Sequence, residues 1–263
     1  MCGRPVFSNK SPYCLRCSHF NRRMKDSGIH GKAAKRIRAY VRRYGFICFY
    51  TKMPLNLTDP RSRWYCVFDH WKPGDGRKVV ITSSLFNEMK SDLSENELWY
   101  YVLQLYNYKK NHIKIKQKKH FIYWDRIVPP SLPKTSKKIF RKCCICSQAV
   151  YRPNARYCLR CSEFGFRMKN KLLPRQTVQA IWDYIRKYGY VCYYTKVPLD
   201  LENHQSPWYC VFNHRVPRDK STVVITCYLF NEMKSDLTDR EFWYYIGQLA
   251  RYRLTGTKIR KRM

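Results

Sequence analysis

The stretch WYCVFDHWKPGDGRKVVITSSLFNEMKSDL, residues 64–93, recurs at residues 208–237 as WYCVFNHRVPRDKSTVVITCYLFNEMKSDL, with 21 of 30 positions identical. The offset of 144 residues holds without a gap from Cys2 to Leu105: Cys14 and Cys17 map to Cys158 and Cys161, Met24 to Met168, Cys48 to Cys192, and Trp99 to Trp243. A repeat this long is a domain rather than a solenoid unit, because each copy can carry its own small core. The duplication predicts two similar domains, 1–106 and 143–263, joined by a basic linker at 107–142, and so a monomer with an internal pseudo-dimer. The most informative difference between the copies is Asp69-His70 in the first against Asn213-His214 in the second.

Each copy reads as α+β. An amphipathic helix is expected near 32–44 and 177–188, with Thr177 as an N-cap, Val178, Ile181 and Ile185 on one face, and Gly45 and Gly189 at C-caps. FICFYT and YVCYYT read as a strand. WYCVFDH and KVVIT follow as two more, and LFNEMKS as a short helix. A last helix opens at Ser94 or Thr238. Glu97 or Glu241 follows three residues later, at capping-box spacing.

The chain has 263 residues, 44% hydrophobic and 16% aromatic, which excludes a disordered basic tail. Its 52 Lys and Arg against 18 Asp and Glu give a net charge of +34. Such an excess repels itself unless a polyanion neutralises it, so the expected partner is nucleic acid, DNA or RNA. No run of about 18 apolar residues suggests a membrane span, and the start lacks the apolar core of a signal peptide. With thirteen Cys in part at C-x-x-C spacing, this points to metal-bound thiolates in an intracellular, reducing compartment, whether cytoplasm, nucleoid, nucleus or organelle.

Cys143-x2-Cys146 and Cys158-x2-Cys161 supply two knuckles, and four thiolates close a tetrahedral structural zinc site. In the first copy Cys2, Cys14 and Cys17 match Cys146, Cys158 and Cys161, while the position matching Cys143 falls before Met1. His19 and His30 are candidate substitutes. Cys48, Cys66, Cys192 and Cys210 lie in apolar segments and read as core, as do Trp64, Trp208, Trp99 and Trp243. Trp71 has no aromatic counterpart and is a candidate for contacting substrate.

Asp69 and Asn87 offer hard oxygen ligands suited to Mg²⁺ or Mn²⁺, and His70 a base for activating water. The segment DHWKPGDGRKVVITSSLFNEMKSD resembles the ββα-metal core of HNH endonucleases, with its DH pair, following Pro and N-x2-K-S/G-D segment. CFYTKMPLNL resembles the Y-T-G-x-P-L segment of phage and mobile-element members, with Lys52 in place of Gly, and the knuckles ahead of it resemble theirs. The resemblance covers most of both repeats. It implies that Asp69 and Asn87 bind the metal, that His70 is the general base, and that Lys90 holds phosphate. The family's middle Asn should fall near Lys78 and is missing in both copies. The second set, Asn213, His214, Asn231 and Lys234, has lost its carboxylate and is degenerate.

A metal-dependent HNH-type nuclease follows, nicking with the first copy and gripping with the second. The alternative is an inactive HNH-derived protein that coats nucleic acid, for example in a ribosome or other ribonucleoprotein particle. The linker carries twelve basic residues and one acid. Its Lys109, Lys110, Lys114, Lys116, Lys118, Lys119, Lys137, Lys138, Arg141 and Lys142 read as an arm on phosphates, as do Arg260, Lys261 and Arg262 in the tail.

Overall fold

The computed structural model describes residues 14–71, 75, 78–116, 141–150 and 154–260. Its order is α1 (Leu15–Asp26), α2 (Gly31–Tyr44), β1 (Cys66–His70), β2 (Val79–Ser83), α3 (Ser84–Lys90) and α4 (Glu95–Asn111). There follow β3 (Arg141–Lys142), β4 (Ala149–Val150), α5 (Leu159–Asn170), α6 (Arg175–Tyr188), β5 (Cys210–His214), β6 (Val223–Cys227), α7 (Tyr228–Lys234) and α8 (Asp239–Thr255). The class is α+β. Each repeat carries one antiparallel hairpin that feeds straight into a short helix. The registers correspond, with Asp69 opposite Val80 and Asn213 opposite Val224.

Three local readings differ from the sequence expectation. α1 and α5 begin directly at the cysteines, where no helix was expected, and bury Phe20 and Met24 or Phe164 and Met168 on one face. FICFYT is not a strand. Cys48 N–H bonds back to Met53 and Lys52 N–H to Cys48, so the chain turns on itself and leaves one bridge, Ile47 with Pro54. Lys52 sits at φ 55°, a left-handed conformation that ends an extended run. Thr177 is not the N-cap of α6, which is Pro174. Its hydroxyl donates to Lys220 O at 3.1 Å instead. The C-cap glycines and both capping boxes form as expected: Ser94 N–H donates to Glu97 at 2.8 Å and Thr238 N–H to Glu241 at 2.9 Å.

The compact units do not follow the repeat boundaries. Unit 1 is Met1–Tyr106 with Trp243–Met263, and unit 2 is Asn107–Phe242. In unit 1, Tyr245 meets Trp64 edge-on at 6.2 Å, and Tyr252 lies 6.4 Å from Trp99. Burial pushes the Tyr40 phenol up to about 12, with Cys48, Tyr44 and Tyr252 adding to it. In unit 2, Tyr184 is raised the same way, and Tyr108 at the end of α4 is among its neighbours. Trp64, Trp208, Trp99 and the four strand-region cysteines are buried, and Trp243 is half-buried. No helix among the described residues is long and apolar enough to cross a membrane.

Candidate functional site

The knuckle of unit 2 is a built thiol cluster. β3 and β4 pair antiparallel around Cys143, and Cys143 N–H donates to Gln148 O at 2.8 Å. Ser147 takes φ 59°, which closes the turn. Cys158 caps α5, and its sulfur accepts from Cys161 N–H at 3.5 Å. The four sulfurs of Cys143, Cys146, Cys158 and Cys161 lie within 4.8 Å of one another. Two of the separations are 3.4 and 3.5 Å. Thiolates around a tetrahedral zinc, with Zn–S of about 2.3 Å, stand about 3.8 Å apart, so the cluster could hold that ion. Burial opposes ionisation of Cys143, but N–H groups from Cys146, Cys158 and Ile145 outweigh it and bring the thiol down to about 6. Cys144 points out to solvent.

In unit 1, Cys14 and Cys17 are buried at the start of α1, and Cys2 lies outside the described residues. His19 and His30 are exposed. Neither assembles a three-ligand cluster with the two cysteines among the described residues.

The hairpin-plus-helix of unit 1 gathers Asp69, His70 and Lys90. Asp69 is 5% exposed, and both its oxygens have donors. Tyr50 OH donates to Oδ2 at 2.5 Å, and Lys90 Nζ to Oδ1 at 3.1 Å. Lys90, 1% exposed, also donates to His70 O at 3.0 Å. Lys90 therefore ties the end of β1 to the end of α3, and its charge is not offered to a phosphate. Tyr50 stacks on Phe86 at 4.6 Å. Burial and the Asp69 carboxylate raise its pKa, so the hydroxyl keeps its proton and donates. His70 is exposed, with Nδ1 3.4 Å from Asp75 O. Asn87 is half-buried, and its carboxamide makes no hydrogen bond among the described residues.

Unit 2 keeps the lysine and moves the charge. Lys234 is fully buried and donates to His214 O at 2.7 Å and Leu237 O at 2.5 Å. With Asn213 on the strand, the nearest carboxylate is Asp239 at the start of α8, 3.8 Å away. Asp239 also accepts from Tyr194 OH at 2.7 Å and Arg215 Nε at 2.9 Å. Asn213 accepts from Tyr194 and donates to Asn231 Oδ1 at 2.7 Å. Asn231 is thus taken up, unlike Asn87. Burial, then the Lys234 ammonium, lowers the His214 pKa.

Comparison with family models, curated proteins and solved structures finds no match. The site is therefore read on its own chemistry. Sequence reasoning missed Tyr50, Tyr194 and Asp239. The tyrosines carried a signal, since a Tyr-Thr pair recurs at 50–51 and 194–195. Asp239 carried one as well, since its first-copy counterpart Glu95 is also acidic, but an acid at a helix start reads as a partner of the helix dipole.

Of the basic arm, Lys109 and Lys110 end α4, Lys114 and Lys116 follow it, and Arg141 and Lys142 form β3. All six are exposed. Lys118, Lys119, Lys137 and Lys138 lie outside the described residues, as do Lys261 and Arg262. The tail doubles back: Ile259 is buried, and Arg260 N–H donates to Gln248 Oε1 at 3.2 Å.

Proposed function

We propose that this chain is a nucleic-acid-binding protein in which two HNH-type hairpin–helix modules hold a polyanion and neither cuts it. The observation that supports this is the Lys90–Asp69 pair. A Mg²⁺ or Mn²⁺ ion on Asp69 would have to displace a buried ammonium that is itself bonded to backbone, and Mg²⁺ gives up its water reluctantly. The second module has lost the strand carboxylate and sets its lysine against Asp239 instead. It retains its buried lysine, so that lysine serves the fold. The excess charge of +34 supplies the drive for DNA or RNA, and Cys143, Cys146, Cys158 and Cys161 are assigned one structural zinc ion. Such a protein fits a ribosome or other ribonucleoprotein particle in an intracellular, reducing compartment.

The nuclease reading rests on two other observations. His70 is exposed, and the Asn87 carboxamide has no partner among the described residues. A water-activating base and one oxygen ligand are therefore available in unit 1 and only the base in unit 2. Incubation of supercoiled plasmid, single-stranded DNA and RNA with Mg²⁺ or Mn²⁺ separates the readings. Binding that weakens steeply with salt, without cleavage, is expected. Nicking that disappears in His70→Ala and persists in His214→Ala would overturn the non-catalytic reading.

A further inference from the structure

Unit 1 has a cleft of about 350 Å³ between α2 and β2, beside but separate from the Asp69 cluster. That volume is at the lower end of ligand clefts, which run about 300–1,000 Å³. Its floor is aliphatic, from Ile37 and Ile81. Its walls are the rings of Tyr40, Phe49 and Trp71. Trp71 is 43% exposed. Glu95 fixes its edge, accepting from Nε1 at 2.6 Å, and the Phe49 ring lies 6.1 Å away. Arg36 and Lys78 stand at the rim, exposed and without a carboxylate partner among the described residues. Lys78 Nζ lies 5.8 Å from the Trp71 ring centre, and Lys52 Nζ 5.0 Å from that of Phe49.

Aromatic walls under a cationic rim suit one ligand chemistry: a flat π-system attached to an anion. We propose that this cleft takes an unpaired nucleobase of single-stranded nucleic acid, stacked against Trp71, with the adjoining phosphates held by Arg36 and Lys78. The proposal rests on the nucleic-acid reading above and adds that unit 1 selects unpaired strands. Stacking platforms bordered by cations are the general means of holding single strands without sequence preference.

The second repeat supplies an internal control. Its corresponding cleft, of about 250 Å³, keeps Ile181, Tyr184 and Tyr193. Arg215 replaces Trp71, and Asp239 neutralises it at 2.9 Å. Ala180 stands for Arg36 and Thr222 for Lys78. The Trp71 ring and the two rim cations are therefore lost together, although Lys196 keeps the place of Lys52, 5.3 Å from the Tyr193 ring, and base capture belongs to unit 1.

The test uses the full chain with fluorescently labelled oligouridylate, oligoadenylate, and a duplex of equal length. Trp71→Ala should weaken single-strand binding about tenfold and leave duplex binding unchanged. Trp71→Phe should restore most of the loss, and Arg215→Ala should leave the ratio of single-strand to duplex affinity as it was. Arg36→Glu, which leaves Trp71 and the Lys78 ammonium beside it in place, should also weaken single-strand binding. Unchanged single-strand affinity in Trp71→Ala overturns the cleft assignment and leaves nucleic-acid binding standing. So does an equal loss in Arg215→Ala. Failure of the unaltered chain to bind either form overturns the underlying reading, and the cleft assignment with it.

Discussion

The buried ammonium of Lys234 finds its counter-charge in Asp239, 3.8 Å away at the start of a helix, where Lys90 finds Asp69 at 3.1 Å on a strand. One lysine position thus draws on two different carboxylates in the two repeats. An unpaired buried charge costs about 3–5 kcal/mol, so a strand carboxylate can be lost only if another reaches the lysine. Asp69→Asn should therefore destabilise unit 1 by about 3 kcal/mol. The double variant Asp69→Asn, Lys90→Met should recover much of that loss. Chemical denaturation of the three proteins measures it, and a double variant less stable than Asp69→Asn contradicts the pairing.

Asn213→Asp should destabilise unit 2, because a buried carboxylate there loses the hydrogen bond to Asn231 and competes with Asp239 for Tyr194. A loss of about 1–3 kcal/mol in chemical denaturation is expected, and Asp239→Asn in the same chain should recover part of it.

The thiol cluster makes a metal prediction. Purified protein should carry zinc that a strong chelator removes, with loss of protection in residues 141–161 by hydrogen exchange. Cys143→Ser and Cys161→Ser should each abolish the unit 2 zinc, whereas Cys144→Ser should retain it. Full zinc content in Cys161→Ser would rule out the four-sulfur site.

His214 sets a pH dependence. Its folded pKa is held below the ordinary histidine value of about 6.5 by burial and by Lys234. The unfolded chain takes up the proton first as pH falls. The stability of unit 2 should therefore be full above about pH 6.5 and decline below it, toward the lower folded pKa. The ring is partly in water, so the slope should be shallow. His214→Gln should flatten it in thermal melts taken across that range.

Ending the chain at Phe242 should weaken unit 1, not only the repeat that is cut. Ile246, Leu249 and Ala250 are buried, and the rings of Tyr245 and Tyr252 rest near Trp64 and Trp99. Each large aliphatic side chain buried contributes about 1.5–3 kcal/mol, so the loss should reach several kcal/mol. Limited proteolysis should then cut within 95–106, which the intact chain protects.

The hairpin–helix modules were legible because their signals are local: period-two strands, Ser-x-x-Glu and Thr-x-x-Glu boxes, and cysteine pairs two residues apart. The strand expected at FICFYT failed because a turn with Lys52 at positive φ overrides β-propensity, which is a weak force beside backbone geometry. Helices α1 and α5 went unread because their few apolar positions are set among charged residues. The ion pair of Lys90 was not legible for a different reason. Phosphate binding and structural ion pairing use the same residue type, and only burial tells them apart. The composition of the units was invisible because nothing in the residues of α4 or α8 names the partner on which their later turns pack.

Segment 243–263 belongs to unit 1, yet it is made well after residues 1–106 of the same unit. Synthesis runs at about 5–20 residues per second, so the first repeat waits on the order of ten seconds for the residues that finish its core. During that interval a strongly basic, half-covered domain is exposed in the cell. Completion of unit 1 is thereby made conditional on synthesis of the whole second repeat, and a product cut short before residue 243 leaves that core open.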